Sequence, residues 1–181
     1  MAALRLFLVS LIAPFIAVVG AYLVLRAKAP YWPPEGAPPF PDLLWVSTGL
    51  ILLVSVFTQW ALQGVKGDRE IATRWGTLLA TLCAYGFMVT QSWAWKDLFA
   101  LHVDAADELR TFTNTFYILT GLHAIHVVGG LLLTTTVCWN AFKRKYWSYH
   151  YPGIRYNAMV WHFLDAIWIF LFLVLWLGNS N

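Results

Sequence analysis

Residues 156–178 read YNAMVWHFLDAIWIFLFLVLWLG, 23 positions holding one acidic residue, Asp165, and one histidine, His162. As an α-helix this stretch is about 35 Å long. That exceeds the roughly 30 Å of hydrocarbon in a bilayer. A strand of a membrane barrel would alternate apolar and polar residues, and this run does not. In hydrocarbon the backbone has to satisfy its own hydrogen bonds, so the run is read as a membrane-spanning helix.

Four further runs of the same kind precede it, at residues 6–25, 43–65, 75–95 and 115–142. The whole chain of 181 residues is 60% apolar and only 12% charged. A soluble domain carries about 25% charge, and a disordered chain is poor in aromatics. Here aromatics reach 17%, with 11 tryptophans, as expected where rings gather at lipid–water boundaries. Residues 146–156 in particular read as an interfacial belt, and so do Trp93 and Trp95. Cys83 and Cys138 both lie in apolar runs, which argues against a disulfide framework. The first run follows Arg5, and Ala27-Lys28-Ala29 is a small-x-small sequence. Its 20 uncharged residues nevertheless exceed the core of a cleaved signal, roughly 7–15 residues. It is read as a retained helix, bent at Pro14.

Basic residues set the orientation. Eight of the twelve lie on the side of the N-terminus: Arg5, Lys66, Arg69, Arg74, Lys143, Arg144, Lys145 and Arg155. Arg26, Lys28, Lys96 and Arg110 lie on the other. The positive-inside rule then puts the N-terminus in the cytoplasm and the C-terminus outside. The net charge of +3 follows from these loops and calls for no nucleic-acid partner. The longest connection, residues 96–114, is too short for a soluble domain. The expectation is an all-α polytopic membrane protein, with five transmembrane helices in one bundle and a single domain over residues 1–181.

Ionisable residues inside spans are costly and mark interactions. Residues 120–130 read TGLHAIHVVGG, which puts His123 and His126 three apart on one helix face. His162 and Asp165 have the same spacing in the last run. Three readings compete. The four residues form a structural polar clamp between helices, or a path for protons, or ligands for a metal or haem. The lone carboxylate has to be protonated, wet or paired, so Asp165 is expected to face the bundle and bond a histidine or a hydroxyl such as Thr120. Lys143, Arg144 and Arg155 cluster on the inner side, where they can hold anionic lipid headgroups or anchor the helix ends.

The stretches TGLHAIHVVGG and WHFLDAIWIF (residues 161–170) resemble subunit III of haem-copper respiratory oxidases. Weaker pieces agree: Gly20-Ala21-Tyr22 followed by Trp32-Pro33-Pro34, the run Leu44-Trp45-Val46-Ser47-Thr48, and Gln91. Five helices match the short bacterial form, which lacks the first two helices of the seven-helix form. The resemblance implies a non-redox subunit of a bacterial inner-membrane cytochrome c oxidase. Such a subunit holds no cofactor; haems and copper sit in partner subunits. It packs on catalytic subunit I, binds phospholipid, and supports proton uptake during oxygen reduction. The first spans are expected to contact that partner through an apolar surface, Leu6, Leu8, Ile12, Phe15 and Val19 making the first helix apolar all round. Related alternatives are an accessory subunit of a nitric oxide reductase and, from the histidines, a small membrane haem protein. The sequence departs from the family at three carboxylate positions, which hold Leu11, Ala94 and Arg155. The proton-uptake role tied to the first of these does not carry over to Leu11.

Overall fold

Five long helices follow one another among the described residues: α1 Ile12–Lys28, α2 Leu43–Lys66, α3 Glu70–His102, α4 Asp107–Phe142 and α5 Pro152–Asn179. They come from a computed structural model, which describes residues 9–34, 37, 41–102 and 107–179. The only β pairing among the described residues is an isolated bridge between Trp147 and His150. The class is therefore all-α. Among the described residues, three stretches are long and apolar enough to cross a membrane: Leu43–Lys66, Leu109–Phe142 and Pro152–Gly178. The other two differ for physical reasons. The 17 residues of α1 make a helix of about 25 Å. In α3, Thr77, Thr81, Thr90, Gln91 and Ser92 dilute the apolar side chains.

The helices run beyond most of the apolar stretches that announce them. α3 starts at Glu70, ahead of the apolar run at 75, and α4 starts at Asp107, ahead of 115. Hydropathy marks what lipid accepts, whereas backbone hydrogen bonding continues into the polar boundary. The start of the first run, with Leu6 and Leu8, lies outside the described residues. Helical backbone at Val9 and Ser10 is interrupted by a turn at Leu11, and α1 then begins at Ile12. Pro14 has no N–H to give to the carbonyl four residues back, which accounts for the interruption.

Helices α2, α3, α4 and α5 form a ring in which each packs on the next and α5 closes onto α2. α1 lies outside the ring, mainly against α4. Its Phe15, Val19 and Tyr22 are buried against the chain's own bundle. This corrects the expectation that Phe15 and Val19 belong to a face free for a partner. The exposed face of α1 is carried instead by residues such as Ile16, Leu23 and Val24.

The tightest joint is between α2 and α3. A Cβ built on Gly76 would stand 2.8 Å from the backbone nitrogen of Ala61, and one on Gly64 would stand 2.9 Å from that of Thr73. Backbones in contact give the dispersion and packing that hold helices together where lipid removes the hydrophobic drive. Ala61, Ala80 and Ala84 extend this small-residue seam inside the bundle. Gly76→Val should force the two helices apart and cost about 1–3 kcal/mol. Unfolding of the purified protein in mixed detergent micelles, with Gly20→Val as a control where no atom lies within 4 Å, measures that difference.

Candidate functional site

Three indole N–H groups face the interior of the bundle, and each finds a threonine. Trp168 Nε1 of α5 donates to Thr48 Oγ1 of α2 at 3.0 Å. Trp95 Nε1 of α3 donates to Thr120 Oγ1 of α4 at 3.1 Å. Trp161 Nε1 of α5 donates to Thr134 Oγ1 of α4, whose hydroxyl donates in turn to Asn157 Oδ1 at 2.6 Å. Thr48 and Thr120 spend their own protons on carbonyls one turn back, Leu44 and Phe116. Their oxygens are thus oriented as acceptors.

Trp168 stands at the middle of the ring. Its indole lies 5.2 Å from Phe87 of α3, edge to face, and 5.1 Å from the imidazole of His123 of α4. His123 is completely buried, with Phe87 and Phe15 flanking it at 6.2 and 6.4 Å. Neither of its ring nitrogens has a hydrogen-bond partner. His126, one turn on, meets Phe15 at 5.3 Å and places Nδ1 2.7 Å from the carbonyl of Leu122 in its own helix. Gln91 of α3 is a third buried polar group, and its amide also has no partner.

His162 and Asp165 belong to a different seam. His162 Nδ1 lies 2.8 Å from the Ser55 hydroxyl, and its Nε2 lies 3.2 Å from Gln59 Oε1. The helix that His162 ties to α5 is therefore α2, two elements away from the histidine pair of α4. Asp165 is buried beside Ser55. The hydroxyl interacts with the carboxyl without meeting hydrogen-bond geometry, and both carboxyl oxygens lack a formed bond. Asp165 was expected to face the bundle and bond a histidine or a nearby hydroxyl such as Thr120; neither a histidine nor Thr120 bonds it, and the hydroxyl beside it is that of Ser55. His123 and His126 face α1 and the ring centre, so the four residues do not join into one hydrogen-bonded cluster. Among the described residues no group of three or more His, Cys, Asp or Glu side chains could hold a metal ion.

At one end of the bundle, the α2–α3 turn is fastened to the α4–α5 loop. Asp68, in the left-handed region at φ 52°, accepts a hydrogen bond from the Ser148 backbone N–H at 3.2 Å. Glu70 pairs with Arg74 and, at 3.0 Å, with Arg144. Burial pushes the nearby Tyr146 phenol above its ordinary range, partly offset by a hydrogen bond with Asn140. Lys143 lies over the ring of Trp139, 4.5 Å from its centroid. Arg155 opens onto a separate cleft of about 320 Å³ with His150 and Tyr149. The three basic residues are therefore engaged separately.

Residues 2–180 match the family model described as cytochrome c oxidase subunit III. The chain belongs to that family. It is 32% identical to the cytochrome c oxidase subunit 3 of Synechocystis, over 95% of this chain and 72% of the relative. The corresponding protein of Thermostichus vulcanus is 29% identical, over 96% of this chain and 85% of the relative. That of Pelomedusa subrufa is 30% identical, over 82% of this chain and 56% of the relative.

The three positions where the resemblance implies a carboxylate have distinct settings here. Leu11 occupies the turn before α1, Ala94 is buried, and Arg155 is exposed. The functional threonines and tryptophans escape a sequence reading that assigns tryptophan to the membrane boundary. Trp161 and Trp168 are core residues, and Trp95 is a donor across α3 and α4. A signal was present: each lies in a run that also carries the family motif, or one turn from a buried polar residue. Thr48→Val strands a buried indole N–H and should cost about 1–3 kcal/mol. Thr135, whose hydroxyl bonds only Leu131 of its own helix, should tolerate the same change within about 0.5 kcal/mol. Paired unfolding curves of the two variants test this.

Proposed function

We propose that the chain is the non-redox accessory subunit of a haem-copper terminal oxidase in a bacterial inner membrane. The observation that carries this reading is the family match over residues 2–180. In it, the protein crosses the membrane five times as one transmembrane domain, with the N-terminus cytoplasmic and the C-terminus outside. The distribution of basic residues supports that orientation. Haems and copper belong to the partner subunits, and this chain carries out no redox step. It stabilises catalytic subunit I, through its first two spans among others, and sustains proton uptake during oxygen reduction. Leu11 contributes no carboxylate to that task. Affinity purification through this chain should bring down the catalytic subunit, with oxygen consumption in an electrode assay. Recovery of the chain without a haem-containing partner would overturn the reading.

His123, His126, His162 and Asp165 serve structure in this proposal, as polar joints placed away from lipid. His162 joins α5 to α2, while His123 is packed among rings that leave no open approach to its nitrogens. Asp165→Asn retains size and hydrogen-bonding capacity while removing any charge. The assembled oxidase carrying Asp165→Asn should turn over within about twofold of the parent, which corresponds to about 0.4 kcal/mol in the barrier. Loss of turnover in a fully assembled complex would assign Asp165 to proton transfer instead.

Lys143, Arg144 and Arg155 provide a surface for anionic phospholipid headgroups, each basic residue contributing about 1 kcal/mol near such a surface. Arg144 is already paired with Glu70. Arg155→Gln should therefore release more bound anionic lipid than Arg144→Gln, as counted by mass spectrometry of the purified complex.

A further inference from the structure

The seam between α2 and α5 exposes hydrogen-bonding side chains at a depth where a bilayer offers no partner. Ser55, Gln59 and Gln63 recur every four residues on α2 and so share a face. With His162 they line a groove of about 500 Å³, together with Val56 and Trp60. Counted at 1.5 Å per residue from Lys66 at the end of α2, Gln59 lies about 10 Å into the helix and Ser55 about 16 Å. Lipid headgroups do not reach that level.

The hydrogen bonds already made define what is missing. The Ser55 hydroxyl donates to His162 Nδ1 at 2.8 Å, and His162 Nε2–H donates to Gln59 Oε1 at 3.2 Å. This fixes one tautomer and uses both ring nitrogens and the Gln59 carbonyl oxygen. The Gln59 amide nitrogen keeps two N–H donors with no partner among the described residues. Unsatisfied donors in hydrocarbon cost several kcal/mol each. Other exposed surfaces avoid this. Ile118, Ile125 and Leu132 give α4 an apolar outer face, and the exposed hydroxyls of Ser92, Thr135 and Thr136 bond back to their own helices. Val56 at 58% exposure and Trp60 at 39% flank the free donors with apolar surface. A tryptophan beside an isolated polar group is a common centre of a protein contact.

We propose that the α2–α5 groove seats a transmembrane helix of a partner subunit, which presents hydroxyl or side-chain carbonyl oxygens to the Gln59 amide. Acyl chains match the apolar flank but supply no acceptor, whereas a polar side chain on a helix supplies both. The identity of the partner as an oxidase subunit rests on the function proposed above; the docking face rests on the groove itself.

The test uses photocrosslinking in native membranes. Val56→p-benzoylphenylalanine places the probe on the groove, and Ile125→p-benzoylphenylalanine, at a position 71% exposed, places it on the apolar face of α4. The expected result is a protein adduct from position 56 to a different membrane subunit and lipid adducts alone from position 125. In the purified complex, Gln59→Leu should reduce the partner retained after detergent washing by roughly three- to tenfold, the range of one hydrogen bond between membrane helices. Lipid adducts alone from position 56, or an adduct to a second copy of this chain, would overturn the proposal even if an oxidase co-purifies. A heterologous protein adduct from position 56 in a preparation that yields no oxidase would support the groove and overturn the oxidase reading.

Discussion

An indole N–H between membrane helices has no water to turn to, so pairing it with an acceptor on a neighbouring helix ties the two helices together. Trp95, Trp161 and Trp168 pair in this way with Thr120, Thr134 and Thr48. The pairs link α3 to α4, α5 to α4 and α5 to α2. A slip of one residue along any of these helices would rotate a donor by about 100° and strand it. The bonds therefore fix register as well as proximity, which apolar packing alone does poorly where lipid is as apolar as the protein.

Around that frame, packing density differs from one side of the ring to the other. Gly64 and Gly76 let α2 and α3 meet backbone to backbone, which makes the hairpin a rigid unit. α5 approaches α2 through longer polar side chains, Ser55, Gln59 and His162. That side holds an open groove along the helices, whereas the hairpin opens only at its turn, beside Asp68, Glu70 and Arg144. The loops at one end reinforce that hairpin, since Asp68 and Glu70 of the α2–α3 turn hold Ser148 and Arg144.

Membership of the cytochrome c oxidase subunit III family gives these features a setting. The accessory role proposed for the chain calls for a stable bundle and a face for its neighbour. The buried imidazole of His123 is held by rings, and the imidazole of His162 is held by two polar side chains of another helix. Two histidines from one family signature thus serve different joints. Asp165 is the acidic side chain buried in the bundle among the described residues.

The all-α class and the family were legible in the sequence because both depend on local composition and motif. An uncharged run long enough to cross hydrocarbon has few folded options, and TGLHAIHVVGG with WHFLDAIWIF is a specific pair. The inward turn of Phe15 and Val19 was not legible, because a helix apolar on all sides carries no moment to say which side meets protein. Nor was the partner of His162: the short α4–α5 connection pointed to His123 and His126 as neighbours, yet a helix in a ring has two neighbours, and α2 presents the matching Ser55 and Gln59. The tryptophans divided in the same way. Their number indicated a membrane protein, but only the antiparallel register of distant helices decided which indoles reach a threonine and which remain at the boundary.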